Sequence, residues 1–260
     1  MSIELALTPD RRWPVADAGS YALQAIEAGF GASALWIGGD GPLAASTDSA
    51  AAFERHGLAC SELVHLSIER DEVATLTAAR LAAEAAATTA APWVNTIFVT
   101  RLRDESLDLA ARVAEVLADA GTRLAIEFGP GGLGVGSITD ALLVVEHVGP
   151  EKAGVVIDTW HFTNGPSTFD DLEAMPLDRL AYVQFCDAPP WIGDDWMVET
   201  GDRRVMPGDG TFELERFASI LRDRGWAGLV TLEIPSVELS QLPFTEIARL
   251  GMAAMARYWC

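Results

Sequence analysis

Positive charge is what this chain has least of. Its 260 residues hold 18 Lys and Arg against 38 Asp and Glu, a formal charge of −20 at pH 7. A nucleic-acid groove needs a basic surface, so that class is excluded. Docking on anionic lipid headgroups is excluded for the same reason. Lys152 is the only lysine and falls in a turn, which leaves Schiff-base chemistry without a good candidate. Cysteine is scarce too. Cys60, Cys186 and Cys260 are odd in number and widely spaced, which argues against a disulfide framework or a cysteine-based zinc site and points to a reducing cytoplasm. The longest uncharged stretch, Ala85–Thr100, is shorter than a membrane span and contains Pro92 and Asn95. The N-terminal residues carry Glu4 and no basic stretch, so no signal peptide is expected.

Apolar residues are plentiful. They make up 50% of the chain, enough for a sizeable core, and the length suits one large α/β barrel or two small domains. Short apolar runs alternate with helix-like segments throughout. Strands are expected at about Ile3–Leu7, Ala34–Ile37, within Leu58–Leu66, and at Trp93–Val99, with helices at Pro14–Ala28, Ser49–His56, Asp71–Ala87 and Asp104–Ala120. Phe212–Arg224 and Leu239–Tyr258 read as the last two helices. Repeated β-then-α units build a parallel sheet, and no linker or composition break divides it. The expectation is a single (β/α)8 barrel spanning residues 1–260.

Four later runs each end in a polar side chain: Leu124-Ala-Ile-Glu127, Gly154-Val-Val-Ile-Asp158, Ala181-Tyr-Val-Gln184 and Leu229-Val-Thr-Leu-Glu233. Side chains alternate faces along a strand. Ala125, Val156, Tyr182 and Thr231 therefore share a face with the four polar ends, while the bulkier neighbours face the helices. In a closed parallel barrel the C-terminal strand ends converge on one mouth, where active sites are built. Three carboxylates and one amide oxygen meeting there would bind a hard divalent cation, and without one the carboxylates would repel.

Two mouth loops stand out. Gly129–Gly136 after the fifth strand lacks the endings of a phosphate-binding loop and reads as a plain mouth loop. Asp187–Gly210 is the longest irregular segment, with Trp191, Trp196, Arg203 and Arg204, and suits a lid.

Val156-Ile-Asp158-Thr-Trp-His161-Phe, Val183-Gln184-Phe-Cys-Asp187-Ala-Pro, Arg204-Val-Met-Pro207-Gly208-Asp-Gly210 and Leu232-Glu233 resemble the sugar phosphate isomerase/epimerase family of xylose-isomerase-like barrels. The resemblance runs through most of the chain, including Ala28–Trp36. It implies that Glu127, Asp158, Gln184 and Glu233 are metal ligands, for Mg²⁺, Mn²⁺ or Co²⁺. It also implies that His161 contacts substrate oxygens and that Arg203 or Arg204 holds one. Trp36, Trp160, Trp191 and Trp196 are candidates to wall the pocket, and His65, at the end of the third strand, is a candidate substrate contact or rim residue. Many sugar epimerases of this superfamily carry His where this chain has Gln184, and Gln there is similar to the dehydroshikimate dehydratases.

The chemistry implied is proton abstraction beside a carbonyl, with Glu127 and Glu233 removing and returning the proton on opposite faces. That gives isomerisation or epimerisation of a sugar-like or keto-polyol substrate. Loss of a β-hydroxyl instead gives a dehydratase. A metal-free binding barrel is the alternative outside enzymes. A DNA-repair endonuclease barrel is rejected, because the chain has no basic groove and only four scattered histidines. Homo-oligomerisation is left open by the sequence.

Overall fold

The computed structural model describes residues 3–131 and 134–260; Met1 and Ser2, and Gly132 and Leu133 of the expected Gly129–Gly136 loop, lie outside the described residues. Eight strands follow one another: β1 (Glu4–Leu7), β2 (Ala32–Trp36), β3 (Ala59–Ile68), β4 (Trp93–Phe98), β5 (Arg123–Glu127), β6 (Ala153–Asp158), β7 (Leu180–Phe185) and β8 (Leu229–Leu232). Each pairs in parallel with its sequence neighbours. β1 closes the barrel on β8, Glu4 opposite Leu229 and Leu7 opposite Leu232. This is a (β/α)8 barrel.

Helices α1 (Ala18–Ala28), α2 (Thr47–His56), α3 (Glu72–Thr89), α4 (Asp104–Ala118) and α5 (Ile138–Val148) follow the first five strands. Two short helices, α6 (Thr159–Asn164) and α7 (Phe169–Ala174), follow β6; α8 (Trp196–Asp202) and α9 (Leu214–Asp223) follow β7; α10 (Phe244–Trp259) closes the chain. Several helices begin where a polar side chain takes up a free backbone N–H, a cap that contributes about 1 kcal/mol. Asp17 accepts from the Ser20 amide at 2.7 Å and Ser137 from the Asp140 amide at 3.1 Å. α1 therefore starts at Ala18, later than the apolar pattern from Pro14 suggests.

The side-chain alternation separates two apolar regions. Ala125, Val156 and Tyr182 form one small cluster with Ala181 inside the barrel. Leu124, Ile126, Val155, Ile157, Val183, Phe185, Val230 and Leu232 belong to the larger core between strands and helices. Packing on one face and polar ends on the other fixes which way each strand end points.

Further expectations differ from the structure, among them the closing helix, which starts at Phe244 after a 3-10 turn at Leu239–Gln241 and not at Leu239. β3 extends to Ile68, and its register against β4 slips between Leu63 and Leu66. His65 lies in that slip, inside the strand and exposed, instead of at its end. The Asp187–Gly210 segment is not irregular throughout. It contains α8 and is tied down by antiparallel bridges from Asp187 to Val205 and from Arg203 to Ser236.

Candidate active site

The four strand-end residues come together at the C-terminal mouth through a chain of hydrogen bonds and one histidine–carboxylate contact. Asp158 ends β6 and caps α6: its Oδ1 accepts from the amides of Trp160 (2.6 Å) and His161 (3.2 Å). That single turn carries His161 back over the strand ends, where its Nε2 lies 3.1 Å from Glu127 Oε1. Glu127 Oε2 accepts from Asn95 Nδ2 at 2.8 Å. Across the mouth, Gln184 Nε2 donates to Glu233 Oε1 at 3.1 Å. Arg204 spans the middle, its Nη1 donating to Asp158 Oδ2 at 2.6 Å and to Glu233 Oε2 at 3.1 Å. One atom each from Glu127, Asp158 and His161 falls within 4.8 Å of the others, a candidate metal site.

Burial sets the electrostatics. It opposes the Asp158 charge, but Arg204 and then His161 outweigh it and hold this carboxyl below the usual range. Burial pushes Glu233 well above that range; Arg204 offsets part of the rise, while Asp158 and Glu127 add to it. Burial likewise opposes the Arg204 cation, and Asp158 outweighs it, so the guanidinium stays charged. Burial also pushes the Cys186 thiol up to about 12, which removes it as a nucleophile at neutral pH.

The donor set fits a divalent cation. Glu127, Asp158 and Glu233 crowd three carboxyl groups around the single Arg204 guanidinium. Gln184 Oε1 is buried with no hydrogen-bond partner among the described residues. Leaving such an atom unpaired costs about 1–3 kcal/mol, and a bound cation would relieve both problems. Hard oxygen donors of this kind suit Mg²⁺ or Mn²⁺.

The remaining expected residues are placed differently from one another. Arg204 is buried in the cluster, whereas Arg203 turns away and pairs with Glu199. Trp160 is buried behind His161, ring edge to ring face at 5.2 Å, and stacks obliquely on Trp191 at 5.5 Å. It therefore supports His161 from beneath and does not face open space. His65 is exposed on β3, outside this network.

The structure also explains the spacing of the later motif. Asp187 is buried, and its carboxylate accepts from the amides of Gly208 (3.1 Å) and Phe212 (3.0 Å). A side chain at position 210 would collide with Asp187 Oδ1, so only glycine lets the loop close over it. This pin holds the segment that delivers Arg204.

Sequence reasoning missed a second polar group inside the barrel. Glu62 on β3 is fully buried, its Oε1 accepting from Thr8 Oγ1 at 2.9 Å and its Oε2 unpartnered among the described residues. Thr8 in turn bonds Thr231, which shares a face with Glu233. Burial pushes the Glu62 carboxyl up to about 7. A charged residue in the middle of an apolar strand was the available signal.

A closed parallel barrel with a carboxylate-rich mouth defines the class of protein. The sequence profile of the xylose isomerase-like TIM barrel family matches residues 15–258, and the chain belongs to that family. It is 28% identical over 153 residues to an inosose isomerase of Halalkalibacterium halodurans, covering 58% of this chain and 52% of that protein. The chain thus matches about half the length of this curated relative. The IOLI protein, solved with a bound zinc atom, superposes with a TM-score of 0.84 at 19% identity, over 98% of this chain and 97% of that one. An L-ribulose 3-epimerase superposes with a TM-score of 0.77 at 15% identity, over 100% and 95%. Identities this low in the solved structures speak for the fold.

Proposed function

We propose that this chain is a divalent-metal-dependent isomerase or epimerase of a sugar-like keto-polyol, with residues 1–260 as one catalytic domain. The observation that carries the reading is the mouth cluster of two buried acids, Glu127 and Asp158, and the half-buried Glu233, with the unpartnered Gln184 Oε1 among them. Similarity to an inosose isomerase supports a cyclic or open-chain polyol ketone as substrate.

Glu127, Asp158, Gln184 and Glu233 would hold Mg²⁺ or Mn²⁺. Bound there, the ion supplies Lewis-acid polarisation of the substrate carbonyl. The protein's own residues do the rest. Glu233 takes the proton from the carbon beside the carbonyl, and Glu127 returns one from across the mouth. Arg204 and Gln184 orient Glu233 through one hydrogen bond to each of its oxygens. His161 donates to a substrate oxygen from its position beside Glu127, and Trp160 beneath fixes its ring.

The experiment is solvent-deuterium exchange. Inososes, ketoses and dehydroshikimate are incubated in D₂O with Mg²⁺, Mn²⁺ or Co²⁺ and followed by NMR. Metal-dependent loss of the proton beside the carbonyl, with an isomer or epimer as product, supports the proposal. Loss of water to give an unsaturated ketone would instead make the enzyme a dehydratase, the outcome that Gln184 favours among alternatives. No exchange with any metal would reduce the barrel to a binding module.

A further inference from the structure

Two neighbouring arginines in the loop after β1 have different surroundings. Arg12 is neutralised: it pairs with Asp10 at 2.7 Å and Asp202 at 2.6 Å, and donates to the Gly201 carbonyl. It clamps the first mouth loop onto the end of α8. Arg11 has no carboxylate within salt-bridge distance among the described residues. Its guanidinium carbon instead lies over Trp36, 4.0 Å from the ring centroid, with its Nη1 beside Gly39.

Arg11 and Trp36 form one side of a mouth cavity of about 320 Å³. Thr8, Pro235 and Glu233 also line it, together with Asp10 and Arg12, which pair with each other. The cavity therefore joins the residue assigned as the base to an exposed, stacked and unneutralised cation. A volume of this size accommodates a small polyol.

The charge distribution makes that cation consequential. The chain carries −20 overall, and Glu127, Asp158 and Glu233 crowd the same mouth. Such a field repels anions, and a neutral polyol would need no guanidinium here. A planar guanidinium held on an indole face keeps its N–H edge free for two parallel hydrogen bonds to a carboxylate or phosphate.

We propose that Arg11 is a specificity residue that receives an anionic group, a carboxylate or a phosphate monoester, carried by the substrate away from the carbon at which the proton is removed. The inference rests on the proposed keto-polyol chemistry for its setting, and its test is separable from that chemistry. Trp36 pre-orders the guanidinium, and Gly39 leaves room for it. Arg12 holds the loop that presents Arg11 to Trp36.

The test is calorimetric titration of the Mn²⁺-loaded full chain with fructose, fructose 6-phosphate and 5-ketogluconate. At least one anionic ketone should bind about 10-fold or more tightly than fructose. Arg11→Gln should weaken that anion by roughly 10- to 100-fold, the scale of a charge-assisted hydrogen bond, and weaken fructose by much less. Arg11→Lys, which keeps the charge, should recover part of the loss. The identity of the preferred ketone separates phosphate from carboxylate. No preference for either anion in the wild-type protein, including no detectable binding of either, overturns the proposal. So does an equal loss on neutral and anionic ketones in a folded Arg11→Gln. Deuterium exchange is run on the same samples. Absent exchange with an intact Arg11-dependent anion preference removes the chemistry and keeps the anion site; exchange without that preference does the reverse.

Discussion

The two halves of this barrel handle buried acid in opposite ways. On the β5–β8 side, Glu127, Asp158 and Glu233 are linked to Asn95, His161, Gln184 and Arg204, and Arg204 with His161 holds the Asp158 carboxyl below the usual range even where burial pushes Glu233 above it. On the β1–β4 side, Glu62 has only the Thr8 hydroxyl and relieves the cost of burial by holding its proton. A buried carboxylate persists when cations and donors surround it, and otherwise neutralises itself.

The largest expected effect falls on the charged side. Glu233→Gln should lower kcat by about 10²–10⁴-fold with a smaller change in KM, since a base acts in the transition state. Steady-state kinetics on the substrate found by deuterium exchange checks it. Wild-type kcat would take Glu233 out of the base role and erase the functional half of the contrast.

Next is the support of that side. Arg204→Met removes the cation between Asp158 and Glu233 and leaves the buried Asp158 carboxylate without its partner. Breaking a buried pair in this way costs roughly 3–5 kcal/mol, read from urea unfolding at pH 7. A cost under about 1 kcal/mol would mean that the guanidinium is a bystander.

Glu62 gives the smaller and opposite effect. Its carboxyl is raised from 4.5 to about 7 in the folded protein. Below the lower value both folded and unfolded forms are protonated, and this group contributes no pH dependence. As pH rises through the interval the unfolded chain ionises first, so stability falls, by roughly 3 kcal/mol in all, and then levels off. Glu62→Gln should remove that loss: little change at pH 4, and a gain of about 1–3 kcal/mol at pH 8 by urea unfolding. Equal destabilisation at both pH values would show that Glu62 is charged and paired. Asp158 runs the other way, since its folded value lies below its unfolded one. Its contribution is present above about pH 4 and is lost on acidification.

How much of this was legible follows from where each residue sits. Glu127, Asp158, Gln184 and Glu233 close apolar runs of constant parity, so alternation alone assigned their face. Glu62 sits within β3, just before the register slip between Leu63 and Leu66, where Val64 and His65 together oppose Asn95 and break the alternation. Parity carries no information across such a slip. Asn95 is an uncharged residue in the middle of β4, and only the folded geometry shows it bonding Glu127. α8 was missed because it spans under two turns and buries Glu199 and Thr200, which leaves no apolar period to read. The choice between Arg203 and Arg204 was equally out of reach. Adjacent positions diverge by about 100° on a helix and by half a turn on a strand, and this segment is neither at that point.

The central claim is that the β5–β8 acids form a divalent-metal site. Mn²⁺ binding to chelator-stripped protein, followed by electron paramagnetic resonance, tests it most directly. The account predicts one ion per chain, bound at least about 10-fold more weakly in both Gln184→Leu and Glu127→Gln, a loss that even outer-shell partners of a metal can produce. No Mn²⁺ binding, or binding that neither substitution alters, would contradict it.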